Sequence, residues 1–376
     1  MSLRYIQREL PPPVPVPEPS EEFIAANAAH MRSMGIARLM DNGVDHADAV
    51  AFHALAGANV AWEAAGEWLG EKNMALARAS AASGFERIAA AHFLHACACF
   101  RFGQSAFTFD TDEKKRLYRK VIGSFADAAA RLEWTTEKVE LSCRDGALCG
   151  WLFMPAVANP PVVIIFGGAD GWRESYYTVG LPLLREGIAI CLTDGPGQGE
   201  SRLFRGLYIT PGFAEDFALL VAHLKGHPAL GGAVGVFGNS LGGTLAATVA
   251  AGVDDVAACC VNGGSIAPAE MADRFPRVLD KIGAMMGTED RNAAQGLLEG
   301  MDLRGRAEAI RCPLLVLHGG ADPLFAPESA RAIHDEATSE CKQMVVWEDG
   351  DHCVYNHAFE RNSITAEWFA THLPRS

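Results

Sequence analysis

Six short, almost wholly apolar runs recur through the later part of the chain, at residues 162–166, 188–193, 234–237, 256–261, 314–318 and 344–347, and helix-patterned segments separate them. A strand that is apolar on every residue must be covered on both faces. Such strands alternating with helices build a mostly parallel sheet with helices on either side. Two strand-patterned segments precede them, 138–143 and 147–154, joined by the hairpin turn Arg144-Asp145-Gly146. The pattern predicts an α/β domain over residues 136–376 with eight strands, the first two antiparallel.

Residues 21–135 carry a different signal. Ala, Leu, Met and Glu dominate, and apolar residues recur at three- and four-residue spacing. Helices are predicted at 20–40, 46–57, 59–69, 74–101 and 111–131, with breaks at Asp41-Asn42-Gly43 and near Gly103, and with Thr111 as an N-cap ahead of acidic residues. The expectation is an all-helical N-terminal domain that covers the active site. Residues 1–20 form an arm in which 11–19 read PPPVPVPEP, an extended polyproline segment expected to lie along the protein's own surface or a neighbouring copy. In the helix over 74–101, His92, His95 and Cys99 share one face. They could be three metal ligands or part of the helical core. No fourth ligand stands at a suggestive spacing, so no metal is expected. A pocket lining of His92, His95, Arg101, Phe102 and Gln104 is the functional expectation.

With 32 Lys+Arg against 46 Asp+Glu, the formal net charge is −14. That disfavours nucleic acid and anionic membranes as partners, because both require a basic surface. No apolar run approaches the roughly 20 residues needed to span a bilayer, and residues 1–10 lack the apolar core of a leader. The expected location is cytoplasmic. Ten cysteines in apolar contexts fit it, as buried free thiols and not a disulfide framework. The expected partner is a small-molecule substrate, and the arm and helices offer surface for a homodimer.

The chemistry-bearing segment is Gly238-Asn239-Ser240-Leu241-Gly242-Gly243. It follows the fifth strand and precedes a small-residue helix, so it reads as a sharp strand-to-helix turn that exposes the Ser240 hydroxyl. A serine hydroxyl is a weak nucleophile. It needs a base within hydrogen-bond reach, and the base needs an orienting group. His352, in Asp349-Gly350-Asp351-His352 after the eighth strand, is the candidate base. Asp322, in Gly319-Gly320-Ala321-Asp322-Pro323 after the seventh, is the candidate orienter, with Asp349 and Asp351 as competitors. An oxyanion would need two backbone donors: the N–H of Leu241, and that of Gly168 or Ala169 in the glycine loop after the third strand. The segment Asp194-Gly195-Pro196-Gly197-Gln198-Gly199-Glu200-Ser201 is glycine-rich like a phosphate loop. No Lys-Ser/Thr follows it and no dinucleotide fingerprint exists, so no cofactor is expected.

On these motifs and their order, the C-terminal two-thirds resembles the α/β-hydrolases, in which the nucleophile, acid and histidine follow strands five, seven and eight. The long helical N-terminal region, GPGQGES and GNSLGG together resemble a narrower group. It includes 2,6-dihydroxypseudooxynicotine hydrolase, the fungal pigment hydrolases that shorten aromatic polyketides, and the esterase-like fermentation-respiration switch protein. The resemblance implies a structural turn at 194–201 and a lid or cap over about 263–311. It also implies a serine hydrolase that cleaves a carbon–carbon bond next to a ketone in an aromatic or polyketide-like molecule, with Glu270 as an extra acid. A solvated-helix role for Glu270 stays open. A carboxylesterase, thioesterase or amidase, or a non-catalytic binding protein of the same fold, are the alternatives.

Overall fold

The computed structural model describes residues 11–374; residues 1–10, the stretch read as lacking a leader core, and 375–376 lie outside them. The chain divides into two units, one ending at Glu133 and the other beginning at Trp134.

The first unit is all helical: α1 (Glu21–Ser33), α2 (Ile36–Asp41), α3 (His46–Gly57), α4 (Trp62–Ala82), α5 (Glu86–Gln104) and α6 (Asp112–Ala129). The side chains of Ser20, Asp45 and Thr111 cap α1, α3 and α6 by accepting backbone N–H bonds. Ahead of α1, the Val16 N–H in the proline arm donates to the Asn59 carbonyl at 2.9 Å. Two predicted boundaries are corrected. The segment 20–40 is two helices, parted where Met34 leaves helical geometry (φ −116°, ψ 58°) and Gly35 caps α2. The gap predicted between the helices 59–69 and 74–101 is absent: α4 runs unbroken to Ala82, and the chain turns instead at Gly84 (φ 78°). Gly70 and Gly66 are packing sites. A side chain on Gly70 would collide with the Phe100 ring, and a Cβ on Gly66 would lie 2.6 Å from the Cα of Gly103. Glycine here lets the backbones of α4 and α5 approach, which a propensity reading takes for a stop.

The second unit contains β1 (Thr135–Ser142), β2 (Ala147–Met154), β3 (Val162–Phe166), β4 (Ala189–Asp194), β5 (Val234–Asn239), β6 (Val256–Asn262), β7 (Leu314–Gly319) and β8 (Lys342–Trp347). They form one sheet in the order β1-β2-β4-β3-β5-β6-β7-β8. β1 pairs antiparallel with β2, and β2 with β4; every other pairing is parallel. The connecting helices are α7 (Tyr177–Arg185), α8 (Gly199–Leu203), α9 (Phe213–Lys225), α10 (Leu241–Gly252), α11 (Glu270–Arg274), α12 (Val278–Met286), α13 (Arg291–Gly300), α14 (Pro327–Glu336) and α15 (Ala358–His372). Every residue of β2, β3, β4, β5 and β7 is buried, in keeping with their largely apolar sequences. The carboxyl ends of β3, β4, β5, β6, β7 and β8 therefore lie along one rim of a rigid sheet, and every loop considered below leaves from that rim. Among the described residues no helix is long and apolar enough to cross a membrane.

Candidate active site

Ser240 sits between β5 and α10 at φ 64°, ψ −133°, a region that a non-glycine residue occupies only when its surroundings enforce it, at a cost of about 1–3 kcal/mol. Two bonds hold it there. Its own N–H donates to the Asn262 carbonyl at the end of β6 (2.8 Å), and its carbonyl accepts from the Gly243 N–H (2.7 Å). Gly238 is required by contact: a side chain there would strike the carbonyl of Gly242.

The Ser240 hydroxyl is 2.8 Å from His352 Nε2, and His352 Nδ1 is 2.7 Å from Asp322 Oδ2. The other Asp322 oxygen accepts the N–H groups of Leu324 (2.7 Å) and Phe325 (3.2 Å), which fixes the buried carboxylate in the loop after β7. Burial works against ionisation of Asp322, but the imidazole beside it wins and holds its pKa below the usual carboxylate value. Burial likewise opposes the imidazolium of His352. The Cys353 side chain and the Asp322 carboxylate outweigh it and raise the pKa above the ordinary value. The competing acids are engaged elsewhere. Asp349 pairs with His357 at 2.8 Å. Asp351 accepts the backbone N–H groups of Tyr355 (2.6 Å) and Asn356 (3.3 Å).

The turn that carries His352 is strained. Cys353 (φ 63°) and Val354 (φ 58°) are both left-handed, a conformation strongly disfavoured for a β-branched residue. Motif reasoning missed the polar network that holds it. The Asn262 amide donates to Asn239 Oδ1 (2.6 Å) and to the Cys353 carbonyl (3.1 Å), and the Asn239 amide donates to the Tyr355 hydroxyl (3.1 Å). Fully buried Arg361 adds a second donor to the Cys353 carbonyl (2.9 Å). These side chains tie the ends of β5 and β6 to the histidine loop. The available signal was that two asparagines end two wholly apolar strands, where an unpaired amide would be costly.

The glycine loop after β3 lies against the elbow: a Cβ on Gly168 would be 2.7 Å from the Leu241 nitrogen. Among the described residues, the N–H groups of Leu241 and Ala169 donate to no protein acceptor. Behind that loop lies the segment 194–201. Buried Gln198 donates through Nε2 to the carbonyls of Gly167 (2.5 Å) and Gly168 (2.9 Å), and accepts from the Gly195 N–H (2.9 Å). Asp194 accepts the N–H groups of Arg173 (3.0 Å) and Glu200 (2.8 Å). Burial, opposed by the Arg173 guanidinium, pushes the Asp194 pKa up to about 7.

Glu270 opens α11. It accepts from the Ser265 hydroxyl (2.6 Å), and Ser265 is bonded through its backbone to Thr244 of α10. No hydrogen bond joins it to the Ser240–His352–Asp322 chain. The segment 263–311 forms α11, α12 and α13, and Lys281 of α12 pairs with Asp170 of the glycine loop at 2.7 Å. In the helical unit, His95 Nδ1 lies 2.8 Å from the Gly43 carbonyl, Arg101 donates to Asn42 Oδ1 (3.2 Å), and Phe102 belongs to the apolar core beside buried Cys99. Burial lowers the His92 pKa, and Gln104 is buried. Among the described residues no group of three or more His, Cys, Asp or Glu could hold a metal ion.

A mostly parallel eight-stranded sheet with a strained serine after its fifth strand defines the class. The chain has the α/β-hydrolase fold: a family model described as alpha/beta hydrolase fold matches residues 160–304, and one described as serine aminopeptidase, S33, matches residues 286–358. Among relatives, it is 27% identical over 282 residues to the 2,6-dihydropseudooxynicotine hydrolase of Paenarthrobacter nicotinovorans, covering 73% of this chain and 74% of that protein. It is 29% identical over 205 residues to the alpha/beta hydrolase ucsC of an Acremonium species, covering 47% of this chain and 41% of that protein. The crystal structure of the 2,6-dihydroxy-pseudo-oxynicotine hydrolase superposes with a TM-score of 0.80 at 24% identity, over 90% of this chain and 95% of that one. That likeness establishes the shared fold.

Proposed function

We propose that this α/β-hydrolase is a serine hydrolase in which Ser240 is the nucleophile, His352 the base and then the acid, and Asp322 the orienting carboxylate. The observation that carries this reading is the continuous relay from Ser240 Oγ through His352 to Asp322, at 2.8 and 2.7 Å. In it the Nδ1–H of a neutral imidazole donates to Asp322, leaving the Nε2 lone pair to take the serine proton. Attack of Oγ on a carbonyl carbon makes a tetrahedral oxyanion, for which Leu241 N–H and a loop donor, Gly168 or Ala169, supply hydrogen bonds. Its collapse breaks the bond to the leaving group and gives an acyl-enzyme. Water, deprotonated by His352, then releases the acid.

We assign the substrate class as a small aromatic or polyketide-like ketone cleaved at the carbon–carbon bond beside its carbonyl. The relative named for 2,6-dihydropseudooxynicotine supports this class. The leaving group would then be a carbanion or enolate, which takes one proton at carbon or oxygen; Glu270 is the extra acid assigned to that step, and the serine proton on His352 then leaves to solvent as Glu270 regains one, so that His352 is neutral again for the water step. Its bond to Ser265 on the loop beside α10 supports a fixed position.

The test starts with a fluorophosphonate probe, which labels wild type and leaves Ser240→Ala unlabelled. Turnover of aryl β-diketones is then compared with that of p-nitrophenyl esters. Glu270→Gln lowers diketone cleavage at least tenfold and spares the esters. Equal effects on both remove Glu270 from the mechanism, and ester turnover alone favours an esterase. An unlabelled wild type would return the binding-protein reading.

A further inference from the structure

We infer that Gln198 sets the second oxyanion donor, the loop N–H of Gly168 or Ala169, an inference that rests on the serine-hydrolase reading above. Gln198 is 1% exposed, and its amide is fully engaged. Oε1 accepts the Gly195 N–H (2.9 Å), which fixes which end of the amide is which, and Nε2 spends its two protons on the Gly167 and Gly168 carbonyls. In a trans peptide the C=O and N–H point in opposite directions. Pinning the Gly168 carbonyl on Gln198 therefore turns the Ala169 N–H away from Gln198. Pinning the Gly167 carbonyl does the same for the Gly168 N–H. The loop cannot set these planes unaided, because glycine at 167 and 168 allows nearly any backbone conformation. The same glycines let the loop approach Leu241 closely, with a Gly168 Cβ only 2.7 Å from the Leu241 nitrogen. Gln198 acts through this backbone and is a positioning residue. Its own amide is spent on the protein and has no proton left for a substrate.

A rigid clamp on both carbonyls makes a specific prediction about kinetics. An oxyanion donor acts on the transition state, so its misplacement lowers kcat and leaves KM nearly unchanged. A misplacement of about 1 Å costs on the order of 10²-fold. The test compares Gln198→Glu and Gln198→Met with wild type, reading fluorophosphonate labelling rate, kcat and KM, with thermal melting to normalise for folded protein. Gln198→Glu keeps the acceptor for Gly195 but turns the donor into a second acceptor facing two carbonyls. Gln198→Met keeps the bulk without a buried charge. The expected result is labelling and kcat slowed by about 10–100-fold in both, with KM within about twofold. Measured against wild type at the same pH, which removes the His352 dependence, the glutamate variant recovers partly as pH falls, because a protonated carboxyl can donate to one carbonyl again. Wild-type labelling rates in either folded variant, or a loss confined to KM, overturn the proposal. Wild type that is not labelled at Ser240 defeats the serine-hydrolase reading itself, so the two failures are told apart.

Discussion

At the scale of single residues, the proposed mechanism makes His352 the group that sets the pH dependence. It accepts the Ser240 proton only when neutral, and its pKa is raised because Asp322 and Cys353 outweigh burial. Activity therefore falls as pH drops through a value above the ordinary imidazole pKa of about 6.5. In Asp322→Asn the carboxylate that favours the imidazolium is gone, so the acid limb of kcat/KM moves to lower pH. The wrong tautomer then costs about 10⁴ in kcat. A pH–rate profile of the variant whose limb stays in place would show that Asp322 does not control His352. Ser240, Asp322 and His352 were legible in the sequence because each sits in a short polar loop directly after an apolar strand, in an order that the sheet makes meaningful. Gln198 was not. It binds backbone carbonyls about 30 positions upstream, and backbone acceptors leave no trace in a residue pattern. Asn239, Asn262 and Tyr355 were hidden for a related reason: their partners come from the ends of β5 and β6 and from the histidine loop, far apart in sequence.

Among the elements, strands were easier to place than helices. A strand buried on both faces is apolar along most of its length, so the all-apolar run 162–166 could be read to the residue. A helix boundary rests on weaker cues, and the gap predicted between 69 and 74, where Gly70 stands, shows why. The same residue type serves as a stop and as a site of close helix contact, and only the partner helix tells them apart. This gives two glycines of the helical unit opposite signs on substitution. Gly66→Ala forces a Cβ to 2.6 Å from the Gly103 Cα and 2.8 Å from the Cys99 carbonyl, all backbone that cannot swing aside. Overpacking of that kind costs about 1–3 kcal/mol. Gly123, exposed on α6, has nothing within 4 Å of an added Cβ. There alanine gains helix propensity and stabilises by about 0.5–1 kcal/mol. Urea unfolding of the two variants checks the pair, and a neutral Gly66→Ala would mean that α4 and α5 part more easily than their packing implies.

For the molecule as a whole, the ten cysteines report on each unit's core from inside. All are free thiols, and seven are buried: Cys97, Cys99, Cys149, Cys191, Cys259, Cys260 and Cys353. Burial pushes Cys191 up to about 11 and Cys149 up to about 12, and it raises Cys99, Cys259 and Cys260 as well. Only the thiolate attacks an alkylating reagent, so at pH 8 these groups are shielded twice, by lost access and by a thiolate fraction that is roughly a thousandfold or more below one at pKa 11. In native protein the modified positions should be among Cys143, Cys312 and Cys341, which are partly exposed. Of these Cys312 is slow, because burial raises its pKa to about 11. Cys97 and Cys99 lie on α5 of the helical unit, whereas Cys191, Cys259 and Cys260 lie on central strands of the sheet. Each set belongs to one unit, and the thiols within a unit should become reactive together as urea is raised, because a cooperative core opens as a block. Mass-spectrometric counting of alkylated sites across a urea series checks this. Cys97 becoming reactive well before Cys99 would mean that α5 frays within its own unit, and early reaction of Cys260 would place a weak point in the sheet that carries Ser240.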